Sequence, residues 1–286
     1  MATTSLQTIM EELGEITGLI ETHSTSQGRS VSLLRDNFLK STLLPATFLD
    51  NCWVRLTNGN SIGESRRIKL FVPTNGDITP DRNWANTDTG DPPITYQLLR
   101  YLTWDDWKAA INRGLEGCYY VDEDSITILA NTRQYNMPTW IERAADFIGA
   151  TIRHGTTTDN YDRLSLEDLE IIEDAGVLRV NIPQLSTSDV LIVKGYRAYA
   201  ALATDAATTT CPKKLALAAG KKEAIKKIAI GCPGEDRTYW ERQLAKAEME
   251  FTLASRKYTR RVPKDLYVGQ PSNYGDPARL TWKDMK

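Results

Sequence analysis

The last third of the chain constrains its fold more than any other stretch, because two helix-forming segments stand back to back there. Residues 235–261 read EDRTYWERQLAKAEMEFTLASRKYTRR, and Trp240, Leu244, Ala247, Phe251, Ala254 and Tyr258 alternate steps of four and three. That spacing puts all six on one helical seam. Residues 213–230 read KKLALAAGKKEAIKKIAI, in which Leu215, Ala218, Lys222, Ile225 and Ala229 step three, four, three, four. One lysine interrupts that stripe. Pro212 stands where a missing N–H costs least, and Cys232-Pro233-Gly234 supplies the turn. The two segments therefore read as an αα-hairpin with matching faces, ended by Pro263.

The same periodicity marks two earlier helices. Leu6, Ile9, Leu13, Ile16 and Ile20 predict a helix over 3–21, with Thr3, Thr4 or Ser5 as its cap. Trp104, Trp107, Ile111, Leu115 and Cys118 predict another over 103–119, opened by Thr103 with Asp106 three residues on. Between them the texture is β. CWVRLT and RRIKLFV read as strands joined by NGNSIGES, with Asn58-Gly59 as the turn signal. VSLLRDNFL is a second helix or an extended arm, 73–93 a loop, and TYQLLRYL a strand.

A second β region follows. SITIL, RQYNM, DFIGATIRH, GVLRVNI and DVLIVKGYRAYA read as five strands, and GVLRVNI alternates with period two. ATDAATTT, residues 203–210, reads as a low-complexity linker. The expected fold class is α+β. A helical bundle, made of the N-terminal helix, the central helix and the C-terminal hairpin, carries an inserted antiparallel β-sandwich or barrel and ends in an extended tail. The expected segments are 1–48 (N-terminal helix and arm, packed with the bundle), 49–102 (first β region), 103–121 (bundle helix), 122–202 (antiparallel β domain), 203–262 (helical hairpin) and 263–286 (docking tail).

Composition narrows the function. Hydrophobic residues make up 41% and charged residues 25%, an ordinary balance for a chain that buries a core. The 35 basic residues fall short of the 37 acidic ones, giving a net charge of −2. Gripping nucleic acid needs a basic excess, so DNA is not expected as a held ligand. The four cysteines, Cys52, Cys118, Cys211 and Cys232, show no C-x-x-C spacing, and the histidines are only His23 and His154. No metal site or cofactor is expected, and the thiols read as reduced, cytosolic and mostly buried. MATTSLQTIMEEL lacks the basic and apolar regions of a signal peptide, and no apolar run reaches a bilayer-spanning length.

No catalytic set stands out. His154 ends a strand-like run and His23 lies in a polar loop, so both read as surface residues. Ser65 in IGESR misses the G-x-S-x-G pattern, because Arg67 follows two residues later and strand-like residues come next. Asp122-Glu123-Asp124, read as a connection between a helix and a strand, offers carboxylates for a cation or for water. There is no P-loop and no dinucleotide fingerprint.

Two features point to polypeptide partners. Lys213, Lys214, Lys221, Lys222, Lys226 and Lys227 crowd one helix, and Arg256, Lys257, Arg260, Arg261 and Lys264 end the next. These form either a solvated face or a docking patch for an acidic partner. Residues 263–286 scatter Leu266, Tyr267, Val268, Tyr274, Leu280 and Trp282 through polar sequence. Large apolar side chains without periodicity suit a segment that orders against a partner.

Several stretches together resemble the head–tail connector (adaptor) proteins of tailed bacteriophages. They are WVRLTNGNSIGESRRIKLF, YQLLRYLTWDDWKAAINRGL, SITILANTRQYNMP, and PKKLALAAGKKEAIKKIA followed by RTYWERQLAKAEMEF. The series runs in order over roughly residues 50–262, and the long loop at 73–93 departs from the pattern. The resemblance implies a non-enzymatic virion protein made in the host cytoplasm and placed at the head–tail junction. It implies a homo-oligomeric ring, typically a dodecamer, with the portal protein above, a neck or tail protein below, DNA only as passing cargo, and no membrane. On that reading Tyr258, Arg260, Arg261, Lys264, Leu266, Tyr267, Val268, Tyr274, Leu280 and Trp282 dock on the portal. Another neck or tail component, such as a tail terminator or a tail-tube-associated protein, is the alternative. A hydrolase using Asp122, Glu123 and Asp124 is the more distant one.

Overall fold

Caps and glycines cut this chain into its elements. A computed structural model describes them over residues 3–25, 29–87, 93–154, 161–164, 169–174, 177–182, 187–232 and 236–258. After a two-residue strand β1 (Thr4–Ser5), the Ser5 hydroxyl accepts the Thr8 N–H at 3.2 Å and starts α1 (Leu6–Thr17). Gly18 ends α1 in the left-handed conformation, φ 65°, with its N–H donated to Gly14 O at 2.8 Å. The helix expected over 3–21 therefore stops at Thr17. Ile20 leaves the helical stripe and opens β2 (Ile20–Ser24), which also takes in the supposed loop residue His23.

The arm at 31–39 supplies a short strand, β3 (Leu34–Arg35), and a single helical turn, Asn37–Leu39, capped by Asp36. β4 (Cys52–Leu56) and β5 (Ser65–Val72) fall where their sequence placed them. The segment expected to be all loop holds β6 (Asp77–Pro80). Asn75-Gly76 is the turn that folds it back on β5, with Gly76 at φ 69°. β7 (Thr95–Arg100) leads into α2 (Trp104–Glu116), whose capping box between Thr103 and Asp106 is formed in both directions.

β8 (Tyr119–Thr127) starts earlier than SITIL suggested and swallows Asp122-Glu123-Asp124. Beyond it come β9 (Gln134–Asn136), β10 (Phe147–Arg153), β11 (Tyr161–Arg163), β12 (Glu170–Asp174), β13 (Val177–Asn181) and β14 (Val190–Ala198). The supposed linker at 203–210 contains β15 (Thr208–Thr209), paired with β1. α3 (Lys213–Gly231) and α4 (Asp236–Tyr258) complete the described chain. No described helix is long and apolar enough to cross a membrane.

This layout corrects the expected architecture. The protein is α+β, but it is no helical bundle with an inserted sandwich or barrel. Among the described residues, four α-helices stand among about fifteen strands in four antiparallel sheets. The physical reason is that short strands, such as β3, β6 and β15, carry little hydrophobic period of their own. They form because neighbouring strands offer unpaired N–H and C=O groups.

The chain divides into two compact units. The first holds residues 1–118 and 198–258. Its six-stranded sheet runs β2-β7-β4-β5-β6-β3, and the central strands β4 and β7 are covered on both faces. Cys52, Val54 and Leu56 of β4 join Tyr96 and Leu98 of β7 in one core, together with Leu34, Phe71, Ile78 and Trp84. Trp53 and Leu99 point the other way, into the core shared by the four helices. Period-two alternation makes this division unavoidable once both faces are covered. Fully buried Leu13, Ile111 and Trp107 lie in the helix-side core, and each buried aliphatic side chain contributes roughly 1.5–3 kcal/mol.

The second unit spans residues 119–197. Its sheets run β11-β10-β14-β8 and β12-β13-β9. Both contribute to one core, with Ala150, Ile152, Leu191 and Val193 from the first and Tyr135, Leu178 and Val180 from the second. A bulge between Phe147 and Gly149 shifts the β10–β14 register.

Candidate interaction surface

α3 is the middle helix of its unit, with α2 on one side and α4 on the other. On the α2 side the residues are small. Ala216, Ala219, Gly220 and Ala224 are buried, and a Cβ added at Gly114 of α2 would lie 2.7–2.9 Å from backbone atoms of Ala219 and Gly220. On the α4 side the sequence stripe holds. Trp240 and Ala247 are buried, while Leu244, Phe251, Ala254 and Tyr258 are half-buried against the same core.

The lysines of α3 are mostly engaged inside the unit. Lys213 pairs with Glu12 of α1, Lys221 with Glu250 of α4 at 2.6 Å, and Lys227 with Asp106 of α2. Lys222 pairs with the buried Glu223 at 3.0 Å and stands 4.4 Å above the Phe251 ring. The basic run is therefore largely a set of straps between helices. The Asp106 carboxyl illustrates the balance: burial pushes it up, but hydrogen bonds from Lys227 and Thr103 hold it below the usual carboxylate range.

The described surface includes a notch of about 170 Å³ between α2 and α3, lined by Ala109, Ala110, Arg113, Glu223, Lys226, Lys227 and Ile230. A second concavity, about 400 Å³, mixes both signs of charge among Asp50, Asn51, Arg67, Ile68, Lys69 and Asp81. Large apolar side chains also stay exposed, among them Ile230, Tyr239, Met249 and Leu253 on α3 and α4, and Phe38 and Leu43 ahead of β4.

Sequence reading missed a polar hub in the stretch expected to be a linker. Arg55 reaches from β4 to the Asp205 carboxylate, and Trp104 Nε1 donates to the same carboxylate at 3.2 Å. The Arg55 guanidinium lies 3.4 Å over the Trp104 ring. Asp205 O also accepts the Gln7 N–H at 3.1 Å, and Leu202 exchanges hydrogen bonds with Asn112. Burial draws the Arg55 guanidinium down from its usual range, against the opposing pull of Asp205. An acidic residue in a run of alanines and threonines was the available signal, but nothing in the sequence named its partner.

His23 lies in β2 with its side chain largely covered, which corrects its reading as a loop residue at the surface, while His154 follows the end of β10 and is partly exposed. His23 stacks on Tyr96 with ring centroids 5.5 Å apart, and its Nδ1 lies 3.5 Å from the fully buried Asp36. Asp36 accepts the Tyr96 hydroxyl at 2.6 Å and the Phe38 N–H at 2.8 Å. The hydrogen bond to Asp36 raises the His23 pKa against the lowering effect of burial, with Glu21 adding to the rise. For Asp36 burial pushes upward, but the bonds from His23, Tyr96 and Phe38 outweigh it and hold the carboxyl low. Burial and Asp36 push the Tyr96 phenol up. This arrangement clamps the 36–39 turn to β2 and β7. His154 pairs with the buried Asp189 at 3.0 Å in the second unit.

The other candidates are placed just as plainly. Ser65 opens β5 as a strand residue opposite Arg55, and no helix follows it. Asp122, Glu123 and Asp124 lie within β8, where successive side chains alternate faces. Asp122 pairs with Arg197 at 2.8 Å and Glu123 with Lys194 at 3.1 Å, both from β14. Among the described residues no group of three or more His, Cys, Asp or Glu is placed to hold a metal ion. Cys52, Cys118 and Cys211 are buried and Cys232 is half-buried. Of the expected docking set, Tyr258 ends α4 half-buried, with Lys257 Nζ 5.8 Å from its ring centroid. Arg260, Arg261, Lys264, Leu266, Tyr267, Val268, Tyr274, Leu280 and Trp282 lie outside the described residues.

No protein-family model matches this chain, and a search of curated proteins returned no relative.

Proposed function

We propose that this chain is a non-enzymatic virion protein, a head–tail adaptor. It assembles with copies of itself into a ring beneath the portal and joins the capsid to a neck or tail protein. DNA passes through the ring without being held. The observation that carries the reading is the ordered series of stretches over roughly residues 50–262 that resembles this family. Two physical features support it. Four of the six α3 lysines are engaged in internal pairs with Glu12, Glu250, Glu223 and Asp106, so neighbouring carboxylates offset much of the charge of that helix. Large apolar side chains such as Tyr239, Met249 and Leu253 stay exposed along α4, the helix that leads into the docking segment. Residues from about 258 onward contact the portal.

The test is truncation. A chain ending at Arg261 should keep the far-ultraviolet dichroism of the full protein and fail to join portal-bearing particles. Normal joining by the truncated chain would refute the docking assignment.

A further inference from the structure

We infer that the α2–α3 notch receives helix α1 of a second copy of this chain. The inference deepens the self-assembly proposed above and rests on it. Arg113 and Lys226 flank the notch, and neither makes an ion pair with any described residue. Beside them Ile230 is 78% exposed and Ala109 is also open to solvent. The notch thus offers two cations that no described carboxylate pairs with, next to an uncovered apolar side chain.

α1 carries the complement. It contains Glu11, Glu12 and Glu15 and no basic residue. Glu12 is taken by Lys213 of the same copy. Glu11 accepts a hydrogen bond from its neighbour Gln7 at 2.9 Å and feels the charge of Arg55 without forming an ion pair with it, and Glu15 makes no ion pair with any described residue. Both are exposed, and Ile16 next to them is 55% exposed. Glu11 and Glu15 stand one turn apart, so they present carboxylates on one face. No residue of α1 lines the notch of its own copy.

Each copy therefore carries an acidic, isoleucine-bearing ridge and a basic, isoleucine-bearing notch made from different residues. Surfaces that differ in this way meet head to tail. Such contacts close into a ring when the rotation between subunits permits and propagate as a filament otherwise. The charges select the partner and speed the encounter, and the isoleucines are covered once it docks. Exposed pairs are screened by salt, so the contact should weaken as ionic strength rises from about 0.1 M, where the screening length is about 10 Å.

Mass photometry and sedimentation of the full-length chain test this with two double variants, Glu11→Lys with Glu15→Lys, and Arg113→Glu with Lys226→Glu. The wild type should associate. Each variant alone should associate at least tenfold more weakly, with unchanged dichroism. An equimolar mixture of the two should recover association, because the basic ridge of one then faces the acidic notch of the other. Wild-type association that both variants preserve would overturn the inference and leave the adaptor reading intact. So would variants that fail alone and stay apart when mixed. A wild type that remains monomeric at high concentration would also overturn it, while capture on portal particles separately judges the adaptor reading.

Discussion

The two faces of α3 are built on opposite principles. Toward α2 the contact is backbone against backbone, with glycine and alanine allowing Gly114 to rest on Ala219 and Gly220. Toward α4 the contact is made by long side chains: Lys221 with Glu250, Lys222 over Phe251, and a seam of which Trp240 and Ala247 alone are buried. The first face depends on shape, and at Gly114 it has no room to adjust. The second depends on flexible groups near water and yields to change. A close-packed interior feels one added methyl, whereas half-exposed side chains lose only part of their burial energy.

Substitutions can break that contrast. Gly114→Ala places a methyl under 3.0 Å from α3 backbone, so urea unfolding should show a loss of about 2–3 kcal/mol despite the helix propensity gained. Phe251→Ala, on the half-buried side, should cost about 1–2 kcal/mol, well below the value for a fully buried phenylalanine. Lys221→Ala should cost only about 0.5 kcal/mol, since Glu250 is 40% exposed, and high salt should erase the difference. Gly220→Ala sharpens the comparison further. Its added methyl crowds movable side-chain atoms, Ile111 Cγ1 and Leu13 Cδ1, each at 3.1 Å, and meets the Ile111 backbone Cα only at an ordinary 3.6 Å. The strain and the helix propensity then nearly cancel, and the unfolding midpoint should move by less than for Gly114→Ala.

The smallest effect is a pH slope that the α3 straps cannot produce. The His23 pKa is raised in the folded state, so its contribution is complete below the ordinary value of about 6.5. That contribution is lost as pH rises through the folded value. The Asp36 pKa is lowered, so its contribution is present above about 3.9 and is lost as pH falls through the folded value. The wild-type urea midpoint should therefore decline from pH 6.5 toward pH 8, and His23→Gln should flatten that decline. Equal slopes in the two proteins would remove the clamp from the account.

The contrast between the two faces also explains how far the sequence could be read. α4 was legible because its seam uses large apolar residues at helical spacing. The start of α2 was legible because Thr103 and Asp106 carry their own cap chemistry. The α2 face of α3 was not, since Ala216, Ala219 and Gly220 look like filler until a second backbone rests on them. Missed strands share that cause. Thr208 and Thr209 are strand only because Thr4 and Ser5 lie opposite, and β6 only because β5 and β3 flank it. Asp205 became the partner of Arg55 across 150 positions, a relation no local window contains. For the candidate surface, the lysine run was visible. Which lysines would be spent on Glu12, Glu250 and Asp106, and which would be left beside Arg113, was fixed by helix packing.

The claim on which this account turns is that the chain works by mating with other polypeptides at the portal. Cryo-electron microscopy of portal-bearing particles that lack this protein, imaged before and after the purified full-length chain is added, tests it most directly. The account predicts new ring-shaped density directly beneath the portal. Particles left unchanged, or new density only at the far end of a tail, would contradict it.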